Sequence, residues 1–262
     1  MLDEQPAPDE QPTGVLAEPN EGRSLLAALD GSVYARHPVR THLVTALDDA
    51  PEVVRRYVGV LGDDVRLVAV SERMVAITQG RSHRMVDIHA GALARLLVRF
   101  VTRPGYGIGL GTAETMQLAI SEVGAPRILL AAALSAITKP FGVHGIFYRV
   151  AGPQAAAIDG PTSYTIPPYN ESATLGPSRP NAAARAIAGV VGKPVAIIDA
   201  NDAGCNVLGA SPGVDRRFVT RLFADNPLGQ SRERTPVCVV REVPWPPDRE
   251  LPPEPRRRLT PP

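Results

Sequence analysis

Lysine is nearly absent: of 28 basic residues only Lys139 and Lys193 are lysine, and the arginines are scattered along the chain. That bias fits a GC-rich genome and marks no binding stripe. Cysteine is scarce too. Cys205 and Cys238 stand in no CxxC or zinc-like spacing, which argues against a disulfide scaffold and fits a reducing compartment. Aromatic residues make up 5% and do not interleave with basic ones, so no nucleic-acid partner is expected. A net charge of +1 leaves no strong field towards nucleic acid or an acidic membrane. The longest apolar run, Ile128 to Leu134, falls far short of the about 18 residues that suggest a bilayer span. The opening residues, MLDEQPAPDEQPTGVLAEPNEG, are acidic and proline-rich without an apolar h-region, so they are not read as a signal peptide. A cytoplasmic location away from membranes is the expectation.

What is present is a globular composition, 44% hydrophobic over 262 residues, with two proline-rich ends. Residues 1–22 and 244–262 offer little to bury and are predicted to be disordered tails around a single domain at 23–243. Within that domain strands and helices alternate. Strands are expected at Val39–Thr45, Val65–Val70, Ile146–Val150, Val195–Ile198 and Val237–Val240. Helices are expected at Pro51–Leu61, Ile88–Thr102, Ala113–Val123 behind a Thr112 cap, Asn181–Val191 and Val214–Ala224. Met74–Thr78 reads as a strand or a helical turn. Arg127–Ile137 fits a buried strand or a buried helix, its alanines favouring helix. The pattern predicts an α/β fold, with α+β mixed sheets.

Chemistry is concentrated in a few places. Four apolar residues, Val195 to Ile198, run straight into Asp199, Asn201 and Asp202 and then Gly204. Ligands of α/β sheets bind beyond strand carboxyl ends, and clustered hard oxygens there suit Mg²⁺ or Mn²⁺. The same residues could instead cap a turn. An EF-hand is excluded, because Ala203 and Ala210 stand where the fifth and twelfth ligands belong. Asp159, in Asp159-Gly160-Pro161, either joins Asp199 at one cation or forms a tight turn. Gly107, Gly109 and Gly111 precede a helix, so their amides could approach a phosphate, or the loop could be structural. Gly209-Ala210-Ser211-Pro212-Gly213 formally reads GxSxG. Pro212 lacks the amide that a nucleophile elbow needs, and all five histidines precede the serine. Those histidines show no metal-ligand pairing.

The order of these pieces resembles a known family. Gly62-Asp63-Asp64, a strand, Ser71 to Arg81 (SERMVAITQGR), Ala157-Ile158-Asp159-Gly160, a proline-rich segment, a helix and GKPVAIIDAND at 192–202 together resemble the coenzyme F420 γ-glutamyl ligase family, over about Pro38 to Ser211. The resemblance implies that family's fold, a homodimer, and a ligase using GTP (or ATP) with Mg²⁺ or Mn²⁺. Such an enzyme activates the carboxylate of a deazaflavin precursor as an acyl phosphate, which L-glutamate then attacks. It implies metal binding at Asp159 and Asp199, with Asn201 and Asp202 beside the latter, and nucleotide contacts from Ser71, Gln79, Gly80 and Arg81. The chain departs from the pattern at Ile77, where the family carries lysine, and after Asn201, where Gly-Arg is usual. Two alternatives stand beside the ligase: a non-catalytic nucleotide- or metabolite-binding paralogue, and a metal-dependent phosphohydrolase.

Overall fold

A computed structural model describes residues 15, 17–59, 61–101, 109–143 and 145–258. In it the expected single domain divides into two compact units. The first is discontinuous, made of residues up to Met74 and again from Arg179. The second is Val75–Ser178.

The first unit is built on a curled mixed sheet of six strands. These are β1 (Leu26–Leu29), β2 (Ser32–Val39), β3 (Val65–Ser71), β6 (Val195–Asn201), β7 (Gly204–Ala210) and β8 (Val237–Val243), in the order β1-β2-β8-β3-β6-β7. Every pairing is antiparallel except that of β3 with β6, where Ser71 lies opposite Ile198. Only Arg66 of β3 is exposed, as expected of an inner strand covered on both faces. On one face Leu67, Ala69, Ala196, Ile198 and Val240 pack against Val219, Leu222 and Phe223 of the α9 region (α9, Arg216–Leu222). Helix α8 (Pro180–Val191) packs on β6 and β7, and α1 (Ala50–Val58) packs on α8.

The second unit is mainly helical. It holds α3 (Ala92–Leu97), α4 (Ala113–Val123), α5 (Ala125–Thr138), α6 (Ile146–Ala151) and α7 (Pro153–Ala156), plus a short ladder of β4 (Ser82–Arg84) with β5 (Ser172–Thr174). Its core gathers Leu97, Leu110, Met116, Ile128, Phe147 and Ile158. Helix α2 (Glu72–Thr78) carries the chain from β3 across the boundary. Among the described residues no single helix is long and apolar enough to cross a membrane.

Several expectations change. The strand expected at Val39–Thr45 is not formed: β2 precedes it and stops at Val39, and the following segment folds on its own side chains. Asp48 accepts from the Thr45 amide (2.7 Å) and hydroxyl (3.0 Å), and its other oxygen meets the His42 ring (2.9 Å). Such local bonds compete with a ladder. Ile146–Val150 lies in helix α6, not a strand: α6 packs on α5 and buries Phe147 and Ala151, and tertiary contact overrides propensity. Met74–Thr78 and Arg127–Ile137 resolve as helix.

Parts of both ends that the composition marks as disordered are placed against the sheet unit. Residues 1–14, 16 and 259–262 lie outside the described residues. Val15 bridges Val39, and the buried Asn20 side chain donates to the Pro227 and Leu228 carbonyls and to Thr235 Oγ1. Towards the other end the Pro253 carbonyl accepts from Ala28 (3.4 Å), Glu254 meets Arg221 (3.4 Å), and the Arg258 amide donates to the Asp202 carbonyl (2.9 Å). Low apolar content does not register backbone and charge pairing of this kind, which is why composition alone misses it.

Candidate functional site

The carboxyl end of β6 holds three of the four predicted oxygen donors, Asp199, Asn201 and Asp202. Val195 to Ile198 are fully buried, so the strand is anchored and its last three residues emerge half-exposed. Alternation places Asp199 and Asn201 on one face, opposite the face that Ala196 and Ile198 present to α9. Asn201 is held twice, its Nδ2 donating to Asp199 Oδ1 (3.2 Å) and its Oδ1 accepting from the Ala203 amide (2.9 Å). Gly204, at φ 135°, lets the chain reverse into β7, and a Cβ there would meet the Arg257 side chain at 2.9 Å. Ser71 reaches the same end of the sheet on neighbouring β3, but it shares the face of Ile198, not that of Asp199.

Asp202 is bound differently. Its Oδ1 accepts from Arg23 Nη1 at 2.8 Å, its amide donates to Gln230 Oε1 at 3.0 Å, and its carbonyl takes the Arg258 amide. The carboxylate is therefore already neutralised and works as a clasp between the hairpin and the two ends of the chain. Arg23, Gln230 and Arg258 carry no local motif. Only the fold brings them to the hairpin, so sequence reasoning missed them. Beside the hairpin lies a small cavity of about 180 Å³, lined among others by Leu29, Cys205, Arg221, Glu254 and Arg257. Burial, and then the negative charge of Asp199, raise the Cys205 thiol far above its usual range. Burial also pushes the Cys238 thiol up to about 12. Neither sulfur is a nucleophile at neutral pH.

The remaining predicted residues belong to the second unit. Gln79 pairs with the Ser178 backbone in both directions, donating to its carbonyl (3.0 Å) and accepting from its amide (2.7 Å). Gly80 turns the chain after α2 at φ 68°, with its amide on the Ile77 carbonyl. Arg81 donates from Nε to the Gly176 carbonyl and from Nη2 to Glu122 Oε1, both at 2.6 Å. The segment thus splints residues 174–178, and its guanidinium is paired. Asp159 is exposed, and its backbone exchanges two bonds with Thr174. Gly109 and Gly111 lead into a capping box in which Thr112 and Thr115 satisfy the first amides of α4. That pattern suits a structural loop. Gly107 lies outside the described residues.

Asp159 and Asp199 fall in different units. Among the described residues no group of three or more His, Cys, Asp or Glu side chains is placed to hold a metal ion. A cation at the β6 end would take oxygen from Asp199, from Asn201 only by drawing its Oδ1 off the Ala203 amide, and the rest of its shell from water or phosphate. The GxSxG serine is structural: buried Ser211 accepts from the Val195 amide at 2.8 Å and returns its own amide to the Val195 carbonyl at 2.9 Å. No family model matches the chain, and no curated protein is similar to it.

Proposed function

We propose that the chain is a nucleotide- and divalent-metal-dependent amide ligase that adds L-glutamate to a carboxylate, in the manner of the coenzyme F420 γ-glutamyl ligases. The observation that carries this reading is the β6 terminus. Asp199 and Asn201 share a face at the carboxyl end of an inner strand that runs parallel to β3 and antiparallel to β7, and α/β sheets bind ligands beyond the carboxyl ends of their parallel strands. The acyl-phosphate route gives their oxygens a role. They would hold Mg²⁺ or Mn²⁺ against GTP or ATP, and the cation would offset phosphoryl charge during transfer. Ser71, at the neighbouring strand end, faces the α9 side and stays outside this set. The family's manner would also make the protein a homodimer.

A specific observation favours a second reading, a non-catalytic nucleotide- or metabolite-binding protein. Arg81 is committed to Glu122 and Asp202 to Arg23, so one predicted phosphate ligand and one predicted metal ligand are already engaged. The experiment is turnover of the purified chain with GTP or ATP, Mg²⁺ or Mn²⁺, L-glutamate and the deazaflavin precursor. A ligase releases phosphate together with a glutamylated product, and Asp199→Asn lowers that turnover at least ~100-fold without changing the melting temperature. Nucleotide binding with no phosphate release across several amino acids and acceptors would replace the ligase by the binder. Phosphate release indifferent to the amino acid would make it a phosphohydrolase.

A further inference from the structure

Helix α5 is apolar on both sides. Its inner side buries Ile128 and Ala131 in the core of the second unit. Its outer side presents Leu129, Leu130, Ala133, Leu134, Ala136 and Ile137 to solvent, and Phe141 and Val143 extend the patch beyond its end. Ile137 is 63% exposed and Phe141 81%. A surface helix ordinarily turns charged residues outward, and a contiguous apolar patch of this kind marks a contact surface.

Charge indicates what the patch meets. From Gly124 to Ile158 the sequence contains no aspartate or glutamate, while Arg127, Lys139 and Arg149 punctuate it. All three are exposed. On α3, which packs on α4, exposed Leu96 likewise lies between exposed Arg95 and Arg99. Apolar side chains rimmed by bases fit a surface that is hydrophobic below and negative above. A second copy fits poorly. Two such faces related by a two-fold axis would oppose bases to bases. Nor can the helix span a bilayer. Its 14 residues rise about 21 Å at ~1.5 Å each, against about 30 Å of hydrocarbon.

We propose that the α5 face is a membrane-surface site that lies in the interface of an anionic lipid bilayer, with Leu129, Leu130, Leu134, Ile137 and Phe141 entering the acyl boundary and Arg127, Lys139 and Arg149 meeting phosphate headgroups. The net charge of the whole chain hides this, because the acids that balance it lie outside residues 124–158. The site is independent of the ligase reading.

Flotation of the full chain with lipid vesicles tests it. The protein should float with vesicles of phosphatidylcholine mixed with phosphatidylglycerol and remain below with phosphatidylcholine alone. Raising the salt concentration should weaken the binding. Ile137→Glu combined with Phe141→Glu, both exposed and therefore compatible with folding, should cut the bound fraction at least ~10-fold at an unchanged melting temperature. Failure of the wild type to float with anionic vesicles would overturn the proposal, as would equal flotation of the double variant. Concentration-dependent dimerisation by light scattering that the same two substitutions abolish would also overturn it, by giving the face to a second copy.

Discussion

Asp225→Ala should be among the most damaging single substitutions in the sheet unit. The Arg36 side chain is 1% exposed, on β2 between β1 and β8. Its guanidinium donates to Asp225 Oδ1 (2.5 Å) and Oδ2 (3.0 Å), to the Leu222 carbonyl (2.8 Å) and to the Ser24 carbonyl (3.0 Å). Removing the carboxylate leaves two neutral carbonyls to satisfy a full buried charge. Breaking one side of such a pair costs about 3–5 kcal/mol, a large share of the ~5–15 kcal/mol that a domain has. For a unit of this size that corresponds to a fall of roughly 6–20 °C in melting temperature. Urea unfolding at neutral pH, followed by far-UV circular dichroism, reads it as a lower midpoint at unchanged slope. The double variant Arg36→Met with Asp225→Leu separates pairing from packing. Replacing both charges by apolar groups should recover most of the loss, since the desolvation cost disappears with them. A loss below about 1 kcal/mol for Asp225→Ala would refute the reasoning, because the charge would then have found water or another partner.

Two further outcomes follow from titrating groups. Burial raises the Asp48 pKa, but the Thr45 amide, the His42 ring and the Thr45 hydroxyl together outweigh it and hold the carboxyl below its ordinary value. A depressed carboxylate stabilises the fold above its unfolded pKa, about 3.9, and loses that contribution as pH falls through the folded value. Asp48→Asn should therefore flatten part of the acid limb of a stability–pH curve below about pH 4 while costing stability at neutral pH, and an unchanged limb would count against the His42–Asp48 geometry. The thiols of Cys205 and Cys238 should react with a disulfide reagent only on unfolding, and a rapid native-state reaction of either would contradict their burial.

Much of the fold was legible because its signals are short-range. Val195 to Ile198 reads as a core strand from four consecutive apolar residues, and it is one. Thr112 reads as a helix cap, and it closes a capping box. The strand at 146–150 was misread because β-branched residues alone cannot show that the segment packs on α5. Strand β7 escaped notice because Asn206 and Gly209 interrupt its alternation, and Gly209 in particular leaves room for the Pro180 backbone. The run Ile128 to Leu134 shows in sequence only that it is too short to span a bilayer, and its exposed side cannot be told from its buried side without the packing. At the β6 end the donors Asp199 and Asn201 were visible in sequence. Their surroundings were not, since Arg23 and Arg258 come from opposite ends of the chain.

Those surroundings decide which carboxylate tests the ligase reading. Asp202 would lose its tie to Arg23 before it could bind a cation, and Arg23 also holds the Asp225 carbonyl at 3.0 Å, next to the buried Arg36 pair. Recruiting Asp202 as a ligand therefore sets metal binding against the joint that fixes the first residues of the sheet unit to the last helix. Substituting it would disturb stability and any activity together, and the two losses could not be separated. Asp199 differs in placement: its neighbour Asn201 is an amide, its face is turned away from the α9 core, and the strand behind it is anchored by four fully buried residues. Asp199→Asn keeps an acceptor oxygen for the Asn201 Nδ2 bond and removes the charge. For that reason the contrast between ligase and binder rests on Asp199→Asn.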